Sequence, residues 1–393
     1  MTLPSALHRL AALHPATEIW WDSSPLIYAH WREDTHYAWR EQPQRWPLLE
    51  ALGVLGQPES LFRGATTNPP LAWGAIEADR LTWDAWMRKQ ARSAPSPQAL
   101  FWSLYEEVCG RAAAVLAPLY AASQGRQGYV CAQVDPRHLQ DLEAMLEQAR
   151  RLHRLGPNIM IKMPATQEGI EGIRILSSEG VSTTATLCFS LSQMVAVAEA
   201  AQAGAKAARA AGRNLSGWRC CAALMMGRME AVPEFAQQAA EAGVTLSEGD
   251  LRWAGVAVAR KAYALFRQRG YATKVLCASM RLGPQVDGEE RIWHLEQLAG
   301  GDMVLTIFPN ILAAFLERYA ERPLAPHIAE PVPDEALERL LRVPYFRQAY
   351  EEGAVAPADF GRLPGVQITG ASFAEAMQTI EDYSRTFWDA RHP

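Results

Sequence analysis

Eight short apolar runs of strand length recur along the chain: Ile19–Ser24, Leu61–Asn68, Gly128–Asp135, Asn158–Ala165, Ser182–Phe189, Gly217–Met226, Thr273–Arg281 and Met303–Pro309. None alternates strictly between polar and apolar residues, as expected of strands buried on both faces. Helical patterns separate the later runs, over His138–Leu155, Glu168–Glu179, Ser190–Ala211, Val232–Arg269, Gly288–Leu298 and Asn310–Tyr319. Repeated strand-then-helix units need right-handed crossovers and a parallel sheet. Eight of them predict closure into an α/β fold of the (β/α)8 TIM-barrel type. An open doubly wound sheet is the main alternative. It usually shows a Gly-rich phosphate turn after its first strand, whereas the turn here begins Ser24-Pro-Leu26.

Two stretches exceed an ordinary crossover. Residues 25–60 and 70–127 are predicted as helical insertions around one barrel mouth. Nine of the thirteen Trp residues fall at or before position 102, in these stretches and the strands beside them. Ordinary helix-on-barrel packing explains that enrichment equally well. The barrel domain is expected over residues 1–322. A C-terminal helical extension is expected over 323–393, opening with the Pro-rich segment after Arg322 and carrying helices at Glu335–Gly353 and Ser372–Arg391.

Composition excludes several classes. Hydrophobic residues make up 49% of the 393 residues and charged residues 21%, enough for a sizeable core and against wholesale disorder. A net charge of −5 supplies no basic field for nucleic acid. No segment approaches about 18 uninterrupted apolar residues, so no membrane partner is expected. The N-terminal residues do not read as a signal peptide. The six cysteines form no C-x-x-C pair, most lie in apolar strand-like runs, and a reduced cytoplasmic setting is expected. No P-loop, nucleophile elbow or zinc-ligand spacing occurs, and His153 and His294 read as helix-surface or packing residues.

Lysine carries the chemical argument. Only five of the 38 basic residues are Lys, at 89, 162, 206, 261 and 274. Lys162 sits in the apolar run Asn158-Ile-Met-Ile-Lys-Met-Pro-Ala165. Burial disfavours an ammonium and lowers its pKa, and a neutral lysine amine can form a Schiff base with a ketone. Pro164 marks the C-terminal end of the strand, where barrel active sites gather. A snorkelling or salt-bridged lysine is the competing reading.

Other strand ends supply further polar groups: Asp22, Asn68, Gln133, Thr184 and Thr186, Arg228, and Ser279 with Arg281. A barrel brings these to one rim. A lysine, a carboxylate, hydroxyl and amide groups and two arginines are what a Schiff-base aldol reaction on a phosphorylated sugar needs. Asn68 could simply cap a helix, and the two arginines could be structural salt bridges. Asp135 is read as a cap on the helix starting near Pro136 and is left out of the site.

These residues resemble the transaldolase family of class I aldolases from about residue 15 to 320. The most specific stretch is Ile161-Lys-Met-Pro-Ala-Thr-Gln-Glu-Gly-Ile170, followed by Glu179-Gly-Val-Ser-Thr-Thr-Ala-Thr-Leu-Cys-Phe-Ser-Leu-Ser-Gln193. Thr66-Thr-Asn-Pro69 and Ala278-Ser-Met-Arg281 match further family motifs. The resemblance implies an eight-stranded barrel with no metal or organic cofactor. Lys162 would be the Schiff-base lysine, and Asp22 the acid/base on the donor's C4 hydroxyl. Asn68 would hold the dihydroxyacetone moiety and Thr186 would belong to a water relay. Arg228 and Arg281, with help from Ser279, would hold phosphate.

The departures from that pattern bear on the reaction. Transaldolases proper carry Glu where this chain has Gln133. The fructose-6-phosphate aldolase branch carries Gln there, in a context similar to Cys131-Ala-Gln-Val134. Thr184 replaces the family's Asn, and Met225 stands where the aldolase branch has a Tyr near the relay water. The expected activity is transfer of a dihydroxyacetone unit between sugar phosphates. A lyase-type aldolase on a related or unusual substrate is the second reading, and a non-catalytic sugar-phosphate-binding barrel the third. A ketose or sugar-phosphate substrate is the expected partner, with a homodimer allowed.

Overall fold

The computed structural model describes residues 5–391. All eight predicted strands are present. They are β1 (Glu18–Trp21), β2 (Gly64–Ala65), β3 (Tyr129–Gln133), β4 (Ile159–Pro164), β5 (Thr183–Cys188), β6 (Cys220–Met225), β7 (Lys274–Ala278) and β8 (Val304–Ile307). Each is parallel to its neighbours in sequence order, and β8 pairs with β1 to close the barrel. This is the (β/α)8 architecture read from the apolar runs.

The barrel interior is built in layers. At the N-terminal end Glu18 receives Arg219 at 2.6 Å and Lys274 at 2.7 Å. Above it Trp20, fully buried, packs with Tyr129, Cys131, Met160, Cys221, Ala223, Leu276 and Val304. Gly64 makes room for that indole, since a Cβ there would lie 2.6 Å from the Trp20 ring. The polar layer with Lys162 lies above this apolar plug. Period-two alternation sets the order: Met160 and Lys162 point inward while Ile159, Ile161 and Met163 face the surrounding helices.

Residues 25–60 and 70–127 are helical, with the longer elements at Tyr28–Ala38, Pro69–Ala78, Arg80–Gln90 and Pro97–Ala122. They form the β1–β2 and β2–β3 connections. Trp21, Tyr28, Trp31 and Phe62 pack edge-to-face or tilted beneath them, so this aromatic group belongs to barrel–helix packing.

Four predicted helices are corrected. Val232–Arg269 is two helices, Pro233–Glu241 and Glu248–Arg269. Gly243 at φ +62° ends the first, and Ser247 with Asp250 forms a capping box for the second. Gly288–Leu298 holds one arm of a two-stranded hairpin, Gln285–Val286 with Glu289–Glu290, and a short helix at Trp293–Glu296. Its turn places Asp287 and Gly288 at φ 53° and 80°, the signature of an Asp-Gly hairpin. Glu335–Gly353 splits into Asp334–Leu341 and Pro344–Tyr350. The terminal helix begins earlier than Ser372 and spans Pro364–Asp389.

The segment after Arg322 is laid back on the barrel's helices. Arg339 pairs with Asp250 at 2.9 Å, Tyr345 donates to the Met229 carbonyl at 3.2 Å, and Arg260 donates to the Glu330 carbonyl at 2.8 Å.

Candidate active site

Lys162 is 6% exposed and Asp22 is 5% exposed, both inside the C-terminal half of the barrel. The Lys162 Nζ donates to the Thr67 carbonyl at 3.1 Å. Desolvation pulls its pKa below the ordinary lysine value, with the Arg228 charge acting in the same direction. Asp22 and Cys131 oppose that shift without reversing it. The Asp22 carboxyl is pushed up, again chiefly by burial. Thr66, Lys162, Arg228 and the Ser279 backbone N–H partly offset the shift. The two groups are thus close enough to couple, and burial moves both toward their neutral forms. A neutral amine is the nucleophilic form of lysine, and a raised pKa makes a carboxylate the stronger base and its proton easier to hold between steps.

A hydroxyl chain fixes the carboxylate. Thr66 Oγ1 donates to Asp22 Oδ1 at 2.6 Å and lies 2.6 Å from Thr306 Oγ1. Thr66 has spent its proton on Asp22, so Thr306 is the donor in the second bond. Thr67 Oγ1 donates to the Cys131 carbonyl at 2.7 Å and ties β2's end to β3. The sequence reading passed over Thr66, Thr67 and Thr306. The first two lay in the quoted Thr-Thr-Asn-Pro motif, but Thr306 had no local signal in an otherwise apolar strand.

Gln133 and Thr184 flank Lys162 at the same level, as its register partners on β3 and β5. Gln133 Oε1 is buried and accepts no hydrogen bond. Thr184 is fully buried and receives the Cys131 thiol at 3.5 Å. Thr186 faces Met225, with its Oγ1 4.0 Å from the Met225 Sδ. A bulge between Ala185 and Cys188, with Leu187 at φ 59°, sets that position. Gln193 clamps the bulge. Its Nε2 donates to the Leu187 and Ala165 carbonyls at 2.9 and 2.8 Å, and its Oε1 accepts from the Phe189 N–H at 2.8 Å. The end of the family-like stretch, Phe189-Ser-Leu-Ser-Gln193, is therefore a brace between the ends of β4 and β5.

Asn68 acts as a cap. Its Oδ1 accepts the Leu71 N–H at 3.0 Å and opens the helix Pro69–Ala78. The cap also fixes this half-buried amide next in the chain to the carbonyl that Lys162 contacts. Asp135 likewise caps the turn Pro136–His138 and pairs with Arg137, as read.

Arg228 and Arg281 come together beyond β6 and β7. Gly227 permits the approach, because a Cβ there would sit 2.1 Å from the Ser279 carbonyl oxygen and 2.8 Å from Arg281 Nε. Ser279 holds the left-handed conformation at φ 61°, a conformation that is costly for a serine. Among the described residues, neither guanidinium has a carboxylate within ion-pair distance, so the salt-bridge reading of the two arginines does not hold. Burial and Arg281 lower the Arg228 pKa. Two adjacent arginines without a direct ion pair are the kind of arrangement that can accept a dianion.

His294 is fully buried, and the sequence reading missed what it does. Its Nδ1 accepts the Arg281 backbone N–H at 3.1 Å and its Nε2 lies 2.6 Å from Glu230, which also pairs with Arg252. Among the described residues, no group of three or more His, Cys, Asp or Glu is gathered to hold a metal ion.

The family model described as Transaldolase/Fructose-6-phosphate aldolase matches residues 55–352. The transaldolase of Mycobacterium ulcerans is 27% identical over 321 residues, covering 81% of this chain and 77% of that protein. The transaldolase of Arthrobacter sp. is 31% identical over 207 residues, covering 52% of this chain and 55% of its own length. Transaldolase 1 of Streptomyces avermitilis is 34% identical over 208 residues, covering 52% of this chain and 54% of its own length. With the closed barrel and the Lys162–Asp22 layer inside it, these matches establish that the chain belongs to the transaldolase/fructose-6-phosphate aldolase family and is an enzyme of transaldolase type.

Proposed function

We propose that the protein transfers a dihydroxyacetone unit between sugar phosphates through a Schiff base on Lys162. The observation that carries this reading is the pairing of a buried, pKa-lowered amine with a buried, pKa-raised carboxyl on a rim that also holds two unpaired arginines. The neutral amine adds to the C2 carbonyl of a ketose phosphate, and loss of water leaves an iminium. The Asp22 carboxylate takes the C4 hydroxyl proton as the C3–C4 bond breaks. The bonding pair moves into the iminium to give an enamine, and an aldehyde phosphate departs. The enamine C3 then attacks an acceptor aldehyde, protonated Asp22 returns its proton to the new alkoxide, and water releases the product from Lys162. Arg228 and Arg281 hold the phosphate, while Asn68 and Thr184 hold sugar hydroxyls.

Gln133 and Met225 favour a second reading, a lyase-type aldolase. An amide can orient a water but cannot exchange its proton at neutral pH, and a thioether offers no hydroxyl. An enzyme with that water relay would release its three-carbon unit to solvent protons instead of an acceptor. Six buried, unpaired cysteines suit a reduced cytoplasmic setting for either activity.

Borohydride reduction in the presence of fructose 6-phosphate tests the reading. A stable adduct on Lys162, found by peptide mass, is expected, and tight binding with no adduct would overturn it. Product release with and without an aldehyde acceptor separates transfer from lysis.

A further inference from the structure

The terminal helix, Pro364–Asp389, packs against β5 and against the segments that follow β2, β3 and β6 at the C-terminal end of the barrel. Near its start Gly365 lies against the Phe189 ring beyond β5. At its middle Phe373 lies against Arg228 beyond β6, with the guanidinium carbon 5.2 Å from the ring centre. Its far half is tied down by Arg137 to Glu381 at 2.6 Å and by Tyr383 to Asp84 at 2.8 Å. Phe373 is fully buried.

We propose that Phe373 is a positioning residue that gives the enzyme its preference for phosphorylated substrates, acting through Arg228. This rests on the reading that Arg228 and Arg281 receive the substrate phosphate. Arg228 is partly desolvated and faces another arginine, and among the described residues it makes no direct ion pair, Asp22 acting on it only from beyond contact distance. A carboxylate would stabilise it but would also occupy its donors and cancel its charge. An aromatic face attracts the cation through the ring quadrupole and takes none of its five N–H groups. Phe373 thus holds the Arg228 cation in place while leaving its N–H groups free for an incoming phosphate. The planar fork is useful only when so oriented, because bidentate phosphate recognition depends on the plane. Residues 364–389 are in this way part of the substrate site, although they lie beyond the last barrel strand.

The test uses the full chain with Phe373→Met, which keeps side-chain bulk without the ring, and Phe373→Tyr, which keeps the ring. Steady-state kinetics compare fructose 6-phosphate with unphosphorylated fructose as donor. Phe373→Met should raise KM for fructose 6-phosphate about 5–30-fold with kcat little changed. Its kcat/KM for fructose should fall by a clearly smaller factor than that for fructose 6-phosphate, and Phe373→Tyr should restore KM. In an Arg228→Gln background Phe373→Met should add no further loss. Equal losses on both donors, or an undiminished loss in the Arg228→Gln background, would overturn the role of Phe373. Borohydride trapping on wild-type Lys162 is the separate control. Trapping without phosphate discrimination by Phe373 removes only this inference, whereas absent trapping removes the Schiff-base reading beneath it.

Discussion

Gln133 and Lys162 are register partners on β3 and β4, and the Gln133 Oε1 is buried without a hydrogen-bond donor. A buried acceptor left unpaired costs about 1–3 kcal/mol, and a substrate hydroxyl or water bound beside the amine would recover that cost. In the proposed reaction the amide holds such a group beside Lys162 but cannot move a proton itself. Gln133→Glu supplies the missing exchangeable proton. Transfer to an aldehyde acceptor should rise about 10–10²-fold, measured with a coupled assay at saturating donor. An unchanged rate would show that the amide is not what limits transfer.

Lys162 must be neutral to attack a carbonyl, and burial favours its neutral form. The initial rate of borohydride-trappable adduct should climb with pH and level off at a midpoint below the ordinary lysine value of 10.5. Rapid-quench trapping across a pH series reads this midpoint. A profile that follows an exposed lysine would contradict the buried-amine mechanism.

Asp22 has its folded-state pKa raised above the reference of 3.8. The folded chain therefore holds this proton more tightly than the unfolded chain. The stabilisation linked to it is fully present below that reference and is lost as pH rises through the raised folded value. At neutral pH the carboxylate is a net burden on the fold, so Asp22→Asn should stabilise by about 1 kcal/mol near pH 7 while abolishing C–C bond cleavage. The gain should shrink toward zero at acid pH. Urea melts of both proteins at several pH values check the sign, and a variant destabilised at neutral pH would refute it.

Trp20 supports Lys162 from below. Trp20→Ala should cost about 3–5 kcal/mol by opening a cavity in the barrel plug. Trp20→Phe should cost less and remain folded. Water admitted beneath the amine should move the trapping midpoint upward in Trp20→Phe. No movement would mean that the plug does not govern solvation at the amine.

His294 accepts the Arg281 backbone N–H and faces Glu230 at 2.6 Å. His294→Leu leaves the Arg281 N–H without its acceptor, which should cost about 1–3 kcal/mol. It should also raise KM for phosphorylated donors more than for unphosphorylated ones. A uniform fall in kcat with both donors would assign His294 to the fold alone.

The barrel was legible because its strands are covered on both sides, and Ile159–Pro164 shows why. Outer residues meet helices and inner residues meet the plug, so the run reads as continuously apolar and Lys162 stands out within it. Periodicity alone failed where short punctuation decides. The Val232–Arg269 pattern runs through Gly243 and the Ser247–Asp250 capping box, both of which were visible as stop and start signals. Asp287-Gly288 likewise announced a hairpin inside a helical pattern. Phe373 had no such signal, because its meaning comes from Arg228, far away along the chain. The link between His294 and Arg281 was hidden for a similar reason, since a helix and a loop meet only in three dimensions.

The Glu18–Arg219–Lys274 cluster and the Trp20 layer seal the barrel at its N-terminal end. In the proposed reaction sugars then reach and leave the amine by the opposite, C-terminal end, so arrival and departure share one doorway. In that scheme the aldehyde freed by cleavage vacates the doorway before its successor docks. In a transfer reaction this architecture imposes a strict order of exchange, with one partner gone before the other arrives.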